Sequence, residues 1–199
     1  MSVKRPNDKF SVCVYCGSSI NVDSVYHDAA RKTGKLLAEA DFNVVYGGSS
    51  SGLMGLVADA ALEAGAHVTG VIPHHIDERE VEHPDLSELH VVDSMHQRKQ
   101  IMATRADAFV VLPGGLGTLE EFFEIMTWRQ LGLHDKPIIV LNKNGYWDSL
   151  DVLMRSIRDA GFVKDEHYKL CQVVETEDEV VDILQKAPRN TRELAEEKI

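Results

Sequence analysis

Between Val110 and Phe122 the chain reads VVLPGGLGTLEEF: an apolar run, a proline, three glycines and a threonine, then two adjacent glutamates. Glycines permit positive φ and let a ligand come close to the backbone. The first amides of a helix opening here have no internal acceptors, so they can hold a phosphate. Gly114, Gly115, Leu116, Gly117, Thr118 and Leu119 make up that stretch, with the Thr118 hydroxyl as a further donor. A carboxylate beside an anion site is electrostatically awkward unless it has chemistry of its own. Near a sugar, a carboxylate stabilises an oxocarbenium-like centre or activates water. Successive helical residues point about 100° apart, so only one of Glu120 and Glu121 faces a given crevice. A favourable helix dipole accounts for the other. Without a ligand, the same stretch is a tight strand-to-helix turn with an N-capping threonine.

A second amide-rich turn, YGGSSSGLMG, runs from Tyr46 to Gly55, with Gly48 inside it. It serves equally as a nucleotide contact or as a bend that lets a helix pack closely on a sheet. Ser18 belongs to a third turn, CGSS. In MHQRK, Met95 to Lys99, Arg98 and Lys99 begin a helix just past a strand, and arginine clamps phosphate or carboxylate bidentately. Neither glycine turn is a dinucleotide fingerprint. GLGTLE carries a glutamate where the third glycine belongs, and GGSSSGLMG lacks the lysine of a Walker A loop. A monophosphate fits better than a dinucleotide or triphosphate.

The segment around His74, His75, Asp77, Glu80 and His83 is rich in metal-capable side chains, but the spacing matches no zinc motif, and no metal is expected. Cys13 and Cys16 form a C-x-x-C pair. Cys13 lies inside an apolar run, where a free cysteine behaves as a small hydrophobe, so a redox role is not expected.

These residues must be placed by the elements around them. FSVCVYC, FNVVYGG, HVTGVIP, LHVVDS, AFVVLPGG, KPIIVLN and LCQVVET read as strands. Helical periods separate them: a first helix from about Asp23, its N-cap, to Ala40; then SGLMGLVADAALEAG, MHQRKQIMATRA, TLEEFFEIMTWRQLG, YWDSLDVLMRSIRDAG and EDEVVDILQKA. Continuous apolar strands alternating with helices predict a single-domain, Rossmann-like α/β fold, doubly wound and mostly parallel, with helices on both faces. The domain is expected over residues 1–186, with a polar tail over 187–199. In such sheets ligands bind beyond the carboxyl ends of the strands, and the glycines, serines, Arg98 and Lys99 collect there.

With 199 residues and 44% hydrophobic content the chain can build one full core. A net charge of −11 argues against nucleic acid or an anionic membrane as the main partner. No apolar run approaches a membrane span, the first residues lack the core of a signal peptide, and three cysteines suit a reducing compartment. A cytoplasmic protein is expected.

The chain resembles the Lonely Guy (LOG) family, phosphoribohydrolases that release cytokinin bases from riboside 5′-monophosphates and are often misnamed lysine decarboxylases. The family pattern P-G-G-x-G-T-x-x-E is matched from Pro113 to Glu121 and joined by MHQRK; CGSS, YGG…GLMG and TWRQLGLHDKP also match, and the likeness extends to about Gln185. The resemblance implies a Rossmann-like homodimer with its pocket near the subunit interface and no cofactor. It implies that Arg98 and Glu121 are the catalytic pair, Arg98 orienting substrate and Glu121, and Glu121 stabilising the ribosyl cation or guiding water to it. It implies that Gly115 to Thr118 hold the phosphate with Lys99 nearby, and that Glu80 and Thr127 contact substrate, with Ser18 and Gly48 as neighbours. Ser49 stands where relatives commonly carry a third glycine after YGG.

Three functions follow for test: hydrolysis of the N-glycosidic bond of a cytokinin riboside 5′-monophosphate or AMP; a nucleotide carrier or sensor without turnover; and a pyridoxal-phosphate decarboxylase, for which no lysine except Lys99 sits in an obvious pocket. The apolar helix EFFEIMTWRQLGL suits either core packing or a subunit interface.

Overall fold

Seven segments form one sheet, and its five central strands are apolar runs buried throughout, while the two edge strands are partly exposed. The computed structural model describes residue 7 and residues 9–74, 81–189 and 194–195. The strands are β1 Ser11–Tyr15, β2 Asn43–Tyr46, β3 Val68–Pro73, β4 Glu88–Val92, β5 Ala108–Val111, β6 Ile138–Leu141 and β7 Gln172–Val174. The helices are α1 Ser24–Glu39, α2 Gly52–Glu63, α3 Met95–Arg105, α4 Leu116–Gln130, α5 Asp148–Asp159, α6 Asp165–Tyr168 and α7 Glu177–Lys186, with a 3₁₀ turn at Lys143–Gly145. The sheet runs β4-β3-β2-β1-β5-β6-β7, and every strand pair is parallel. In register, Val12 lies beside Val44 on one flank and Ala108 on the other.

The period of two along β1 separates the core into two layers. Val12, Val14 and Cys16 pack with Val44, Tyr46, Leu37 and Val57 on the α1–α2–α7 side. Cys13 and Tyr15 pack with Phe109, Val111, Phe122 and Ile125 on the α3–α4 side. Cys13 and Cys16 thus belong to different layers, and both are free thiols. Asp23 caps α1, its carboxylate accepting from the Val25 amide at 3.0 Å. Among the described residues no helix is long and apolar enough to cross a membrane.

The strand order sets the crevice. From β1 the chain winds outward through β2, β3 and β4, then returns to lay β5 on the other flank of β1 and winds the opposite way. The loops after β1 and β5 therefore diverge, and this is the switch point at which doubly wound sheets bind ligands. Beyond α7, the Arg189 guanidinium lies 4.6 Å from the Phe10 ring centre, and Leu194 is buried with the Ala195 amide on the Leu133 carbonyl.

Candidate active site

Three strand-end turns build the floor of the site, and they interlock backbone to backbone. The Gly17 amide donates to the Pro113 carbonyl at 3.1 Å, and the Gly17 carbonyl accepts from the Leu53 amide at 3.0 Å. At Gly52, where φ is +59°, an added Cβ would sit 2.3 Å from the Ser18 carbonyl, so only glycine fits. The turns containing Ser18, Gly52 and Pro113 are thereby set as one unit at the carboxyl edge of the sheet.

The Gly114–Thr118 stretch opens α4, but the N-cap is Gly115 and not Thr118, and no side chain caps it. The Leu119 amide reaches back to the Gly115 carbonyl, so α4 presents the amides of Leu116, Gly117 and Thr118 at its start. Gly115, Leu116 and Gly117 are exposed, whereas Thr118 is buried beside Gly114.

Arg98 sits on α3, whose start is fixed by Ser94 accepting from the Gln97 amide. Its side chain is only 5% exposed. Nε donates to the Val71 carbonyl at 3.0 Å and Nη2 to the Gly47 carbonyl at 2.7 Å, and Nη1 lies 3.8 Å from the Met95 sulfur. The guanidinium is held in one pose by the ends of β2 and β3. The Gly47 contact was not singled out from the sequence, although Gly47 is the first glycine of YGG.

The two glutamates divide. Glu120 is half exposed and pairs with the buried Lys99, whose Nζ also meets Glu124 at 2.9 Å. Burial pulls the Lys99 ammonium down, but its hydrogen bonds to Glu120 and Glu124 outweigh this and hold it above the usual lysine value. Glu121 turns the other way and is half-buried. Burial first, and the Glu121 charge after it, hold the Cys13 thiol well above its usual value. The Tyr15 phenol is likewise raised by burial, then by Cys13 and Glu121. The Glu121 charge thus acts on two side chains of β1 that belong to the α3–α4 layer.

Gly48 is buried at φ +80°, and its carbonyl is taken by the His83 amide. Ser49 is buried; its hydroxyl accepts from the Ser51 amide at 3.1 Å, a bond no glycine could make. Thr127 is exposed, donates to the Phe123 carbonyl, and lies seven residues past Glu120, on that face of α4 and not on the Glu121 face. His83 pairs with Asp59 at 2.9 Å; His75, Asp77 and Glu80 lie outside the described residues. A separate cavity of about 520 Å³, lined by Trp147, Leu150, Met154, Tyr168 and Cys171, lies on the β6–β7 side and includes neither Arg98 nor Glu121.

A family profile described as "Possible lysine decarboxylase" matches residues 54–184. Cytokinin riboside 5′-monophosphate phosphoribohydrolase LOG3 of Arabidopsis thaliana is 43% identical over 182 residues, covering 91% of this chain and 85% of the relative. The chain belongs to the LOG family. LOG2 of the same plant is 47% identical over 152 residues, 76% of this chain and 71% of the relative. A rice protein, probable phosphoribohydrolase LOGL1, is 40% identical over 195 residues, 98% of this chain and 87% of the relative. Among solved structures, TM1055 superposes with a TM-score of 0.69 at 24% identity, over 89% of this chain and 99% of that one. The molybdenum cofactor carrier protein of Chlamydomonas reinhardtii gives 0.69 at 21%, over 89% and 97%. At such identities these two speak for the fold alone.

Proposed function

We propose that this protein hydrolyses the N-glycosidic bond of a cytokinin riboside 5′-monophosphate or AMP, giving the free base and ribose 5-phosphate. The observation that carries the reading is the pose of Arg98, buried and tied to the Gly47 and Val71 carbonyls at the carboxyl edge of the sheet. Across the crevice, the uncapped start of α4 and Glu121 complete the arrangement. The amides from Gly115 to Thr118 take the 5′-phosphate, with Gly114 and Leu119 flanking them. Glu121 faces C1′, where it stabilises the positive charge that develops as the bond to the base breaks, or guides the attacking water. Arg98 orients substrate and Glu121. Lys99 neutralises Glu120 and Glu124, so that the acidic start of α4 does not repel the phosphate. In this reading Lys99 meets the Glu120 and Glu124 charges, and Glu121 works on the sugar.

Ser18, Gly48 and Met95 sit in or beside the strand-end turns and line the nucleotide, and Glu80 is a further substrate contact. Thr127 points away from the Glu121 face of its own helix. In our reading it reaches a nucleotide across a subunit boundary, in a homodimer whose pocket lies near the interface. Free thiols at Cys13, Cys16 and Cys171 suit work in a reducing compartment such as the cytoplasm.

Decarboxylation through pyridoxal phosphate fits poorly. A Schiff-base lysine must lose its proton to attack, and Lys99 is held protonated by two carboxylates. A carrier without turnover has a namesake on this fold, but at 21% identity, against 40–47% for the phosphoribohydrolases described above. The test is to incubate the protein with AMP and N6-isopentenyl-AMP and to separate the products by chromatography. Free base, abolished by Glu121→Ala, supports the hydrolase. Tight binding with no base released overturns it in favour of a carrier.

A further inference from the structure

We propose that Tyr146 is a positioning residue for the phosphate-holding turn, a role that rests on the nucleotide reading above. Tyr146 follows β6 and is 38% exposed, and its hydroxyl donates to the Gly114 carbonyl at 2.7 Å. A trans peptide is planar, with its C=O and the next N–H pointing in opposite directions. Drawing the Gly114 oxygen toward Tyr146 therefore turns the Gly115 N–H away from it. Gly115 is the N-cap of α4, and its N–H belongs to the amide-rich turn read above as the phosphate holder. The preceding carbonyl, that of Pro113, is held separately by the Gly17 amide at 3.1 Å. The turn has two carbonyls fixed by two outside donors, and Tyr146 is the side chain of the two.

The tyrosine is itself held. Its loop turns through Asn144 at φ +54° and Gly145 at φ +72°. Asn142 braces the loop, accepting from the Trp147 amide at 2.6 Å and donating to Asp148 at 2.8 Å. The Tyr146 ring meets Tyr26 of α1 edge-on at 5.2 Å and Trp147 at 4.7 Å. A phenol packed on two sides and set on a braced loop holds the Gly114 peptide in one orientation before ligand arrives, and such pre-organisation appears as affinity. The apolar crowding also explains why the ring would stay in place without its hydroxyl.

Tyr146→Phe keeps the ring and removes only the donor. Calorimetric titration with AMP and with inorganic phosphate should show both binding about 5- to 10-fold more weakly than to wild type, the loss of one hydrogen bond. KM for AMP should rise by the same factor with kcat within twofold, and adenosine, which lacks the phosphate, should bind both proteins alike. Wild-type affinity for AMP and phosphate in the variant, or an equal loss toward adenosine, overturns the role. If wild-type protein binds neither AMP nor phosphate, the nucleotide reading itself falls and takes this inference with it.

Discussion

The Arg98 guanidinium and the Gly47 carbonyl meet at 2.7 Å, at a position where any side chain on residue 47 would push the guanidinium aside. A Cβ there would lie 2.1 Å from Nη2 and 2.9 Å from the Met54 sulfur. Gly47→Ala should therefore expel the guanidinium from its pose while leaving the sheet paired. We expect base release to fall by about 10²-fold, as for small misplacements of a positioned group, and stability by about 1–3 kcal/mol from overpacking. Steady-state assay and thermal unfolding measure the two. An alanine variant with wild-type turnover would show that the pose of Arg98 is not needed.

Glu120 and Glu121 are adjacent in sequence, and their neutral isosteres should separate them. Glu121→Gln should lower kcat by about 10²–10⁴-fold with AMP affinity within a few-fold of wild type. Glu120→Gln should keep most turnover, because its charge is engaged by Lys99. Rapid-quench assay and equilibrium binding on both variants distinguish them. A Glu120 variant as inactive as the Glu121 variant contradicts the division.

How much of this was legible beforehand depends on the range of the interaction. Strands β1, β2, β3, β5 and β6 were readable because each is an unbroken buried run, and Asp23 because capping is local. The helix after GG begins at Leu116, two residues before the threonine that opens its sequence pattern, because glycine and leucine accept helical backbone without announcing it. The short α6 and the 3₁₀ turn carry too few residues to show a period. Strand order, and with it the β1–β5 crevice, depends on contacts far apart in the chain. So do the bonds of Arg98 to Gly47 and of Tyr146 to Gly114, 51 and 32 residues apart. The glycine of YGG and a tyrosine at a strand end were the available signals; their partners were not.

Lys99 makes stability fall at high pH. Its pairing with Glu120 and Glu124 raises the folded value above the usual lysine value. The stabilisation is thus complete below about pH 10.4 and is lost as pH rises through the folded value. Lys99→Met should unfold at lower temperature than wild type by a constant margin from pH 7 to about 9.5, and the margin should shrink above about pH 10.5. Thermal melts across that range check it. A margin that does not change up to pH 11.5 would mean the ammonium is not what the carboxylates need.

His134 acts in the opposite direction, at acid pH. It lies in the TWRQLGLHDKP segment, buried against α4, and its Nδ1 accepts the Lys136 amide at 3.2 Å. The proton is therefore on Nε2, which donates to the Ile125 carbonyl at 2.9 Å. Burial is the main cause that lowers its pKa to about 4. Unfolded, the ring takes a proton below about pH 6.5; folded, it resists until about pH 4. Between these values the unfolded chain binds more protons, so stability falls as pH drops, by about 3 kcal/mol once both values are passed. His134→Gln cannot titrate. It should cost about 1–2 kcal/mol at pH 7 through poorer hydrogen bonds, and lose less than wild type on going to pH 4.5. Urea unfolding at pH 7 and pH 4.5 measures both slopes. Equal losses in the two proteins would place the acid sensitivity of this fold in its carboxylates instead.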